Sequence, residues 1–370
     1  MLTDPDRCGG WDSGAAVADA RPARPVAASA ALLPPPLPPA AATHRMPWAS
    51  NDPSPLLDSL TDINLDDLFD AAGLTCLRRT PLQRLLWPFA RRFALVAHEF
   101  DCRVGAQGLA EGSSWLLHRM AAGAQVSGGE HVPATGPVVV LANHPGMTDT
   151  VVLLASLASR PDLRVIALDR PFLRALPNVA RQLIVVPDHE LGRMGALRAG
   201  VRHLKQGGAL LTFPAGEIEP DPATFGRRRA FESVLRWSDS FVVFARLAPQ
   251  TRIVPAIVSQ VISAAAQRHV LTLLRRTAHD RERLAAALQV ALPRYQKMVA
   301  RVAFGPAQQA SPTDRGRLRS AIVDQIRQLI EASVGPGENV AGAAAPFVAH
   351  ARSARPQPAE RALVPWPLSR

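Results

Sequence analysis

The sequence predicts an α/β fold: a mixed, largely parallel sheet covered by helices, with disordered N- and C-terminal tails. Three features carry that expectation. Short β-branched runs alternate with helix-length stretches from residue 137 to residue 332, the pattern of strands joined by helical crossovers. Two of those runs end in loops that hold both Pro and Gly, residues that punctuate regular structure. Residues 1–54 and 335–370 are instead dense in Ala and Pro, and the first includes Pro34-Pro35-Pro36-Leu37-Pro38-Pro39, which can build neither helix nor ladder.

Residues 1–54 are therefore read as a disordered arm. Over 55–73, Leu56, Leu57, Leu60, Ile63, Leu65, Leu68 and Phe69 suit a short amphipathic helix or a pair of them. Over 76–97, Leu82, Leu85, Leu86, Phe89, Phe93 and Val96 recur at spacings of three and four and share one helical face, with Pro88 implying a kink or restart. Arg78, Arg79, Arg84, Arg91 and Arg92 flank that face. It fits an interfacial helix on anionic lipid or a surface helix packed on the core. Residues 55–129 thus form a helical, partly amphipathic and basic segment.

The α/β domain spans 130–334. Strands are expected at 137–142, 163–168, 183–186, 209–213, 252–258 and 299–304, each short and rich in Val, Ile or Leu. Helices are expected at 150–158, 192–206 (stopped by Gly207-Gly208), 280–293 and 313–332. Residues 335–370 form the second disordered tail.

The formal charge is +11, and only Lys205 and Lys297 among the 42 basic residues are lysine. Such a bias reflects a GC-rich genome as much as function. What remains favours anionic company: a phospholipid surface, a phosphorylated substrate, coenzyme A or nucleic acid. Cys8, Cys76 and Cys102 form no CxxC pair, which argues against a disulfide scaffold or a zinc site. No run of 18 apolar residues occurs, and the first residues lack the basic-then-apolar pattern of a signal peptide. A cytoplasmic protein is expected.

Two loops, each following a predicted strand, carry candidate chemistry, because open α/β sheets bind ligands at strand carboxyl ends. In Asn143-His144-Pro145-Gly146-Met147-Thr148-Asp149, a turn at Pro145-Gly146 can bring His144 back over the helix start. Asp149 could then accept Nδ1–H and leave Nε2 free as a base. With 10 histidines in the chain, about 0.5 such pairs arise by chance, so a capping Asp beside a surface His fits equally well. In the second loop, Phe213-Pro214-Ala215-Gly216-Glu217, Gly216 permits close backbone approach, and Glu217 could orient a hydroxyl or cap a helix. A plain Pro-Gly turn fits as well.

Taken together, the two loops resemble the glycerolipid acyltransferase family of the 1-acylglycerol-3-phosphate type. Its first signature is Asn-His-x4-Asp, and its third, Phe-Pro-Glu-Gly, lies some seventy residues later; His144 and Phe213 are 69 positions apart. Val254-Pro255-Ala256-Ile257 is similar to the family's fourth block, and the resemblance spans residues 130–310. Ala215 stands where the family has Glu, with an acid at Glu217 instead. Pro187-Asp188-His189 stands where an arginine usually holds phosphate. The pattern looks like a divergent bacterial branch that includes hemolysin-like and ornithine-lipid acyltransferases.

The resemblance implies acyl transfer from acyl-CoA or acyl carrier protein to a hydroxyl of a lysophospholipid or related lipid acceptor. His144 would be the base and Asp149 its partner, with Asn143, Arg170, Arg174, Phe213, Pro214, Gly216 and Glu217 binding substrate. Arg181 and Arg193 rank behind Arg170 and Arg174 as the phosphate ligand. It implies no metal and no cofactor, and peripheral association with the inner face of the membrane. Two rivals remain: a non-catalytic lipid-binding member of the same fold, and a nucleic-acid-binding protein. The second lacks a recognised module and aromatic–basic interleaving, so nucleic acid is not expected as a partner.

Overall fold

Buried β-branched runs build one sheet of eight strands among the described residues. They are β1 (Gly123–Ser127), β2 (Val138–Ala142), β3 (Arg164–Leu168), β4 (Leu183–Val186), β5 (Ala209–Thr212), β6 (Arg252–Ser259), β7 (Val299–Phe304) and β8 (Gln308–Gln309). This computed structural model describes residues 54–333 apart from 79, 188, 274, 276 and 310–314. The two tails expected to be disordered lie outside the described residues, Ser54 excepted.

The strand order is β1-β7-β6-β2-β5-β3-β4, with β8 beside β6. Strands β2 to β6 all run parallel, whereas β7 pairs antiparallel to β6 and β1 follows β7. The expected mixed, largely parallel sheet is what forms. Its consequence for function is positional: five strands deliver their carboxyl ends, and the loops after them, to a single edge.

Alternate residues of the central strands feed the two faces. Val138, Val140 and Ala142 join Leu211 and Val254 on one face, while Val139 and Leu141 join Leu210, Ile253 and Ile257 on the other. Strands buried on both sides need no polar alternation, which is why β2 and β5 are wholly apolar up to Thr212. Helices α1 (Ser54–Ala72), α2 (Leu82–Gln107), α3 (Leu109–Met120) and α4 (Met147–Ser156) contribute to the first face. The second is covered by α5 (Glu190–Lys205), α6 (Arg227–Val234), α7 (Ser240–Leu247) and α9 (Arg315–Ser333); α8 (Ala278–Ala291) packs beside a small cluster around Tyr295.

Differences from the sequence reading are local. Strand β1, Gly-Ala-Gln-Val-Ser, carries no apolar run and exists because β7 supplies its hydrogen-bonding partner. Helix α2 continues through Pro88 to Gln107 instead of ending near 97. Its buried face is also different. Ala90, Ala94, Ala97, Phe100 and Val104 point inward, while Leu85 and Phe89, whose face could have met either lipid or the core, are 67% and 47% exposed. Small alanines let neighbouring segments approach closely: Leu65 and Phe69 of α1 cluster with Ala90. Leu85, Trp87, Phe89 and Leu95 are left on the outer side.

Candidate active site

The first loop begins where β2 ends. Asn143 is buried, and its side-chain amide bridges to β6: Nδ2–H donates to the Val258 carbonyl at 2.9 Å, and Oδ1 accepts the Val258 N–H at 2.7 Å. The side chain thus continues the β2–β6 ladder for one more step, in the manner of a backbone pair. It was expected to bind substrate, but the structure directs both polar atoms to the Val258 backbone.

Pro145 and Gly146 then delay the helix, and α4 starts at Met147 with Asp149 in its first turn. Asp149 Oδ2 accepts from the Gly146 N–H at 3.0 Å, capping the helix, and meets His144 Nδ1 at 2.9 Å. Oδ1 accepts from the Thr150 N–H and from its hydroxyl, the latter at 3.1 Å. The capping acid and the partner of His144 are one and the same group. An acceptor at Nδ1 places the neutral imidazole's proton there and leaves Nε2 as the basic atom.

The imidazole lies against Phe213, with ring centroids 4.6 Å apart, and its side chain keeps 30% of its surface exposed. That contact joins the two loops, as the sheet register requires: β2 and β5 are neighbours, with Leu141 opposite Thr212. Phe213 to Gly216 form a turn closed by the Gly216 N–H to the Phe213 carbonyl at 3.1 Å, with Gly216 at φ 68°. Pro214 is buried, and its carbonyl accepts from the Ser238 N–H.

The acid expected in this loop, Glu217, is exposed and faces Arg236 at 3.8 Å. The acid that reaches His144 lies two residues further on. Glu219 is buried; its Oε2 accepts the His144 N–H at 2.9 Å, while its own N–H donates to the His144 carbonyl at 2.8 Å. Its Oε1 accepts from Trp237 Nε1–H at 2.7 Å and from the Ser233 hydroxyl at 2.9 Å. Asp221, also buried, accepts N–H bonds from Ala223, Gln260, Val261 and Ile262, and so ties the third loop, after β6, to the second. Gln260 takes a left-handed φ of 57° within that junction.

Charge follows from these contacts. Burial works against protonating His144, but the charge and hydrogen bond of Asp149, with a further contribution from Glu219, outweigh it and hold the imidazole pKa above its ordinary value. Burial raises the carboxyls of Glu219 and Asp221 despite the donors facing them.

The arginines picked from sequence lie on the rim. Arg170 follows β3 and is exposed; Arg174, 65% exposed, pairs with Asp169 at 2.7 Å. Neither has a contact with His144 among the described interactions. Sequence reasoning passed over Glu219 and Asp221. A usable signal was present for one of them: Asp221-Pro222 is an N-cap followed by Pro at the first helical position, and Asp221 does cap the short helix Pro222–Phe225. Among the described residues, no group of three or more His, Cys, Asp or Glu could hold a metal ion, and no helix is long and apolar enough to cross a membrane.

Residues 123–259, from the start of β1 to the end of β6, match the family model described as acyltransferase. The chain is also similar to the solved structure of the 1-acyl-sn-glycerophosphate (LPA) acyltransferase PlsC from Thermotoga maritima. Identity is 16% and the TM-score 0.38, over 77% of this chain and 98% of that one. No curated protein matches the sequence.

Proposed function

We propose that the protein transfers an acyl chain from a thioester, acyl-CoA or acyl carrier protein, to a hydroxyl of a lysophospholipid or related lipid, a reading supported by the match of residues 123–259 to the acyltransferase family model. The observation that carries this reading is the His144–Asp149 pair at the carboxyl edge of the sheet, with Nε2 turned away from Asp149. Nε2 takes the proton of the acceptor hydroxyl as its oxygen attacks the thioester carbonyl. Asp149 stabilises the imidazolium that forms. Collapse of the tetrahedral adduct breaks the C–S bond, and His144 returns the proton to the leaving thiolate. Phe213 of the second loop lies against the His144 ring, and N–H groups of that loop other than the Gly216 one, which already closes the turn, would suit the developing oxyanion.

Anionic headgroup or coenzyme phosphates would meet the rim, where Arg170 and Arg174 stand exposed. Membrane lipid would be reached peripherally. Support comes from α2, where Leu85, Trp87, Phe89 and Leu95 are exposed beside Arg84 and Arg92. The test is acyl transfer to a panel of lysolipids with acyl-CoA and acyl carrier protein as donors. His144→Ala is expected to lose about 10²–10⁴-fold in turnover while remaining folded. Wild-type turnover in that variant would refute the mechanism. Tight lysolipid binding by the wild type without turnover would make the chain a lipid-binding module instead.

A further inference from the structure

His144 is held by two buried carboxylates, and only one of them touches its ring. Asp149 fixes the imidazole at Nδ1, whereas Glu219 grips the peptide group of the same residue from both sides, accepting its N–H at 2.9 Å and donating to its carbonyl at 2.8 Å. The two loops are thereby stitched together at the base itself. We propose that Glu219 is a positioning residue for His144, a second carboxylate that fixes the base through its main chain; this rests on the acyl-transfer reading above for its catalytic consequence.

Three features carry the proposal. Glu219 is 1% exposed, and a buried carboxyl without a task would be costly to keep. Its partners also select its charge state. Trp237 Nε1–H and the His144 N–H can only donate, one to each oxygen, so an ionised carboxyl accepts both fully whereas a protonated one would hold one of them only through its weaker hydroxyl oxygen. The ionised form is the one these donors suit, even though burial opposes it. Lastly, the Ser233 and Trp237 bonds anchor Glu219 to α6 and the turn after it, so the base is referenced to a rigid part of the second face.

The charged or titratable groups facing His144 are Asp149 from α4 and Glu219 from the second loop, and both favour the imidazolium. Removing the Glu219 charge should therefore ease loss of the proton from His144. Asp149 would be left as the single anion beside it.

The test is Glu219→Gln in the full chain, read by two independent measurements: the pH titration of the His144 ring followed by NMR, and the pH profile of kcat and KM for acyl transfer. Glutamine keeps the size and one acceptor but removes the charge. We expect the His144 titration, and the acid limb of the rate profile with it, to move to lower pH. The maximal kcat should fall about 10-fold or more, with KM changed less than 3-fold. Unaltered titration and profile in a folded variant would reduce Glu219 to a packing group and overturn the proposal. Should Glu219→Gln fail to fold, Ser233→Ala removes a single donor from Oε1. It should make Glu219 easier to protonate and so weaken its charge, moving the ring titration and the acid limb of the profile to lower pH, though less far than in Glu219→Gln; no movement in either the limb or the ring titration refutes the idea. The ring titration needs no turnover, so a chain that transfers no acyl group would sink the functional reading while still deciding the role of Glu219.

Discussion

Replacing Asn143 by Ala separates a framework role from a substrate-binding one. In the structure its amide closes two buried hydrogen bonds to the Val258 backbone, at 2.9 and 2.7 Å. Truncation leaves a buried N–H and a buried C=O without partners, each worth about 1–3 kcal/mol when orphaned. Some water entry into the vacated volume reduces the sum, so a loss of about 3 kcal/mol is expected. For a folded region of this size that lowers Tm by about 6–12 °C. Asn143→Asp should be no better than Ala. One carboxylate oxygen can accept the Val258 N–H, but the other would face the Val258 carbonyl, acceptor against acceptor, with a charge in a buried place. Thermal and urea unfolding of the two variants, beside KM for the lipid acceptor, provide the measurement. A drop below about 1 kcal/mol together with a large rise in KM would refute the reasoning and return Asn143 to substrate binding.

Asp149→Asn removes the larger of the two charges that raise the His144 pKa and leaves burial, which lowers it, unopposed except by Glu219. The acid limb of activity should move to lower pH while maximal turnover falls by about 10²-fold or more, checked by the pH profile of kcat; a fall with no movement of the limb would argue against the coupling. The same coupling has a stability sign. A raised His pKa stabilises the fold fully below the unfolded value, and that contribution disappears as pH rises through the folded one, so His144→Ala should flatten Tm against pH over that window. On α2, Leu85→Ser with Phe89→Ser removes two exposed apolar side chains from the outer face. Sedimentation with anionic vesicles should show several-fold weaker binding at unchanged Tm; equal binding would exclude this face as the membrane contact.

The sequence made the parallel sheet legible because strands buried on both faces appear as apolar runs rich in Val, Ile and Leu, as in Val138–Ala142 and the 253–258 stretch of β6. Edge elements carry no such mark. Gly123–Ser127 has only Val126 as a β-branched apolar residue, and its strand state comes from a partner 176 positions away. The His144–Asp149 pair was legible for a different reason: both residues lie within one loop, so spacing could pair them. Glu219 could not be paired with His144 that way, since 75 residues separate them and only the adjacency of β2 and β5 brings them together. Proximity to Gly216 made Glu217 look like the functional acid. Which acid is buried depends on the course of the chain after that turn, and this is decided by the tertiary contacts of Trp237 and Ser233.

Asp149, Glu219 and Asp221 are all at most 1% exposed, yet among the described ion pairs none of them faces an Arg or Lys. Their partners are N–H and O–H dipoles from loop ends and helix starts, with His144 as the single group able to become a cation beside two of them. Such an arrangement makes the centre of the site electronegative and selects for proton uptake at His144. It also makes the centre a poor place for a phosphate, which the same carboxylates would repel. In a chain of net charge +11, the cations needed for an anionic headgroup or coenzyme therefore belong on the rim, where Arg170 and Arg174 already stand exposed at the end of β3. Separating the two charges would let one edge of the sheet hold an anion outside and build a cation inside, as the proposed acyl transfer to a phosphate-bearing acceptor would require.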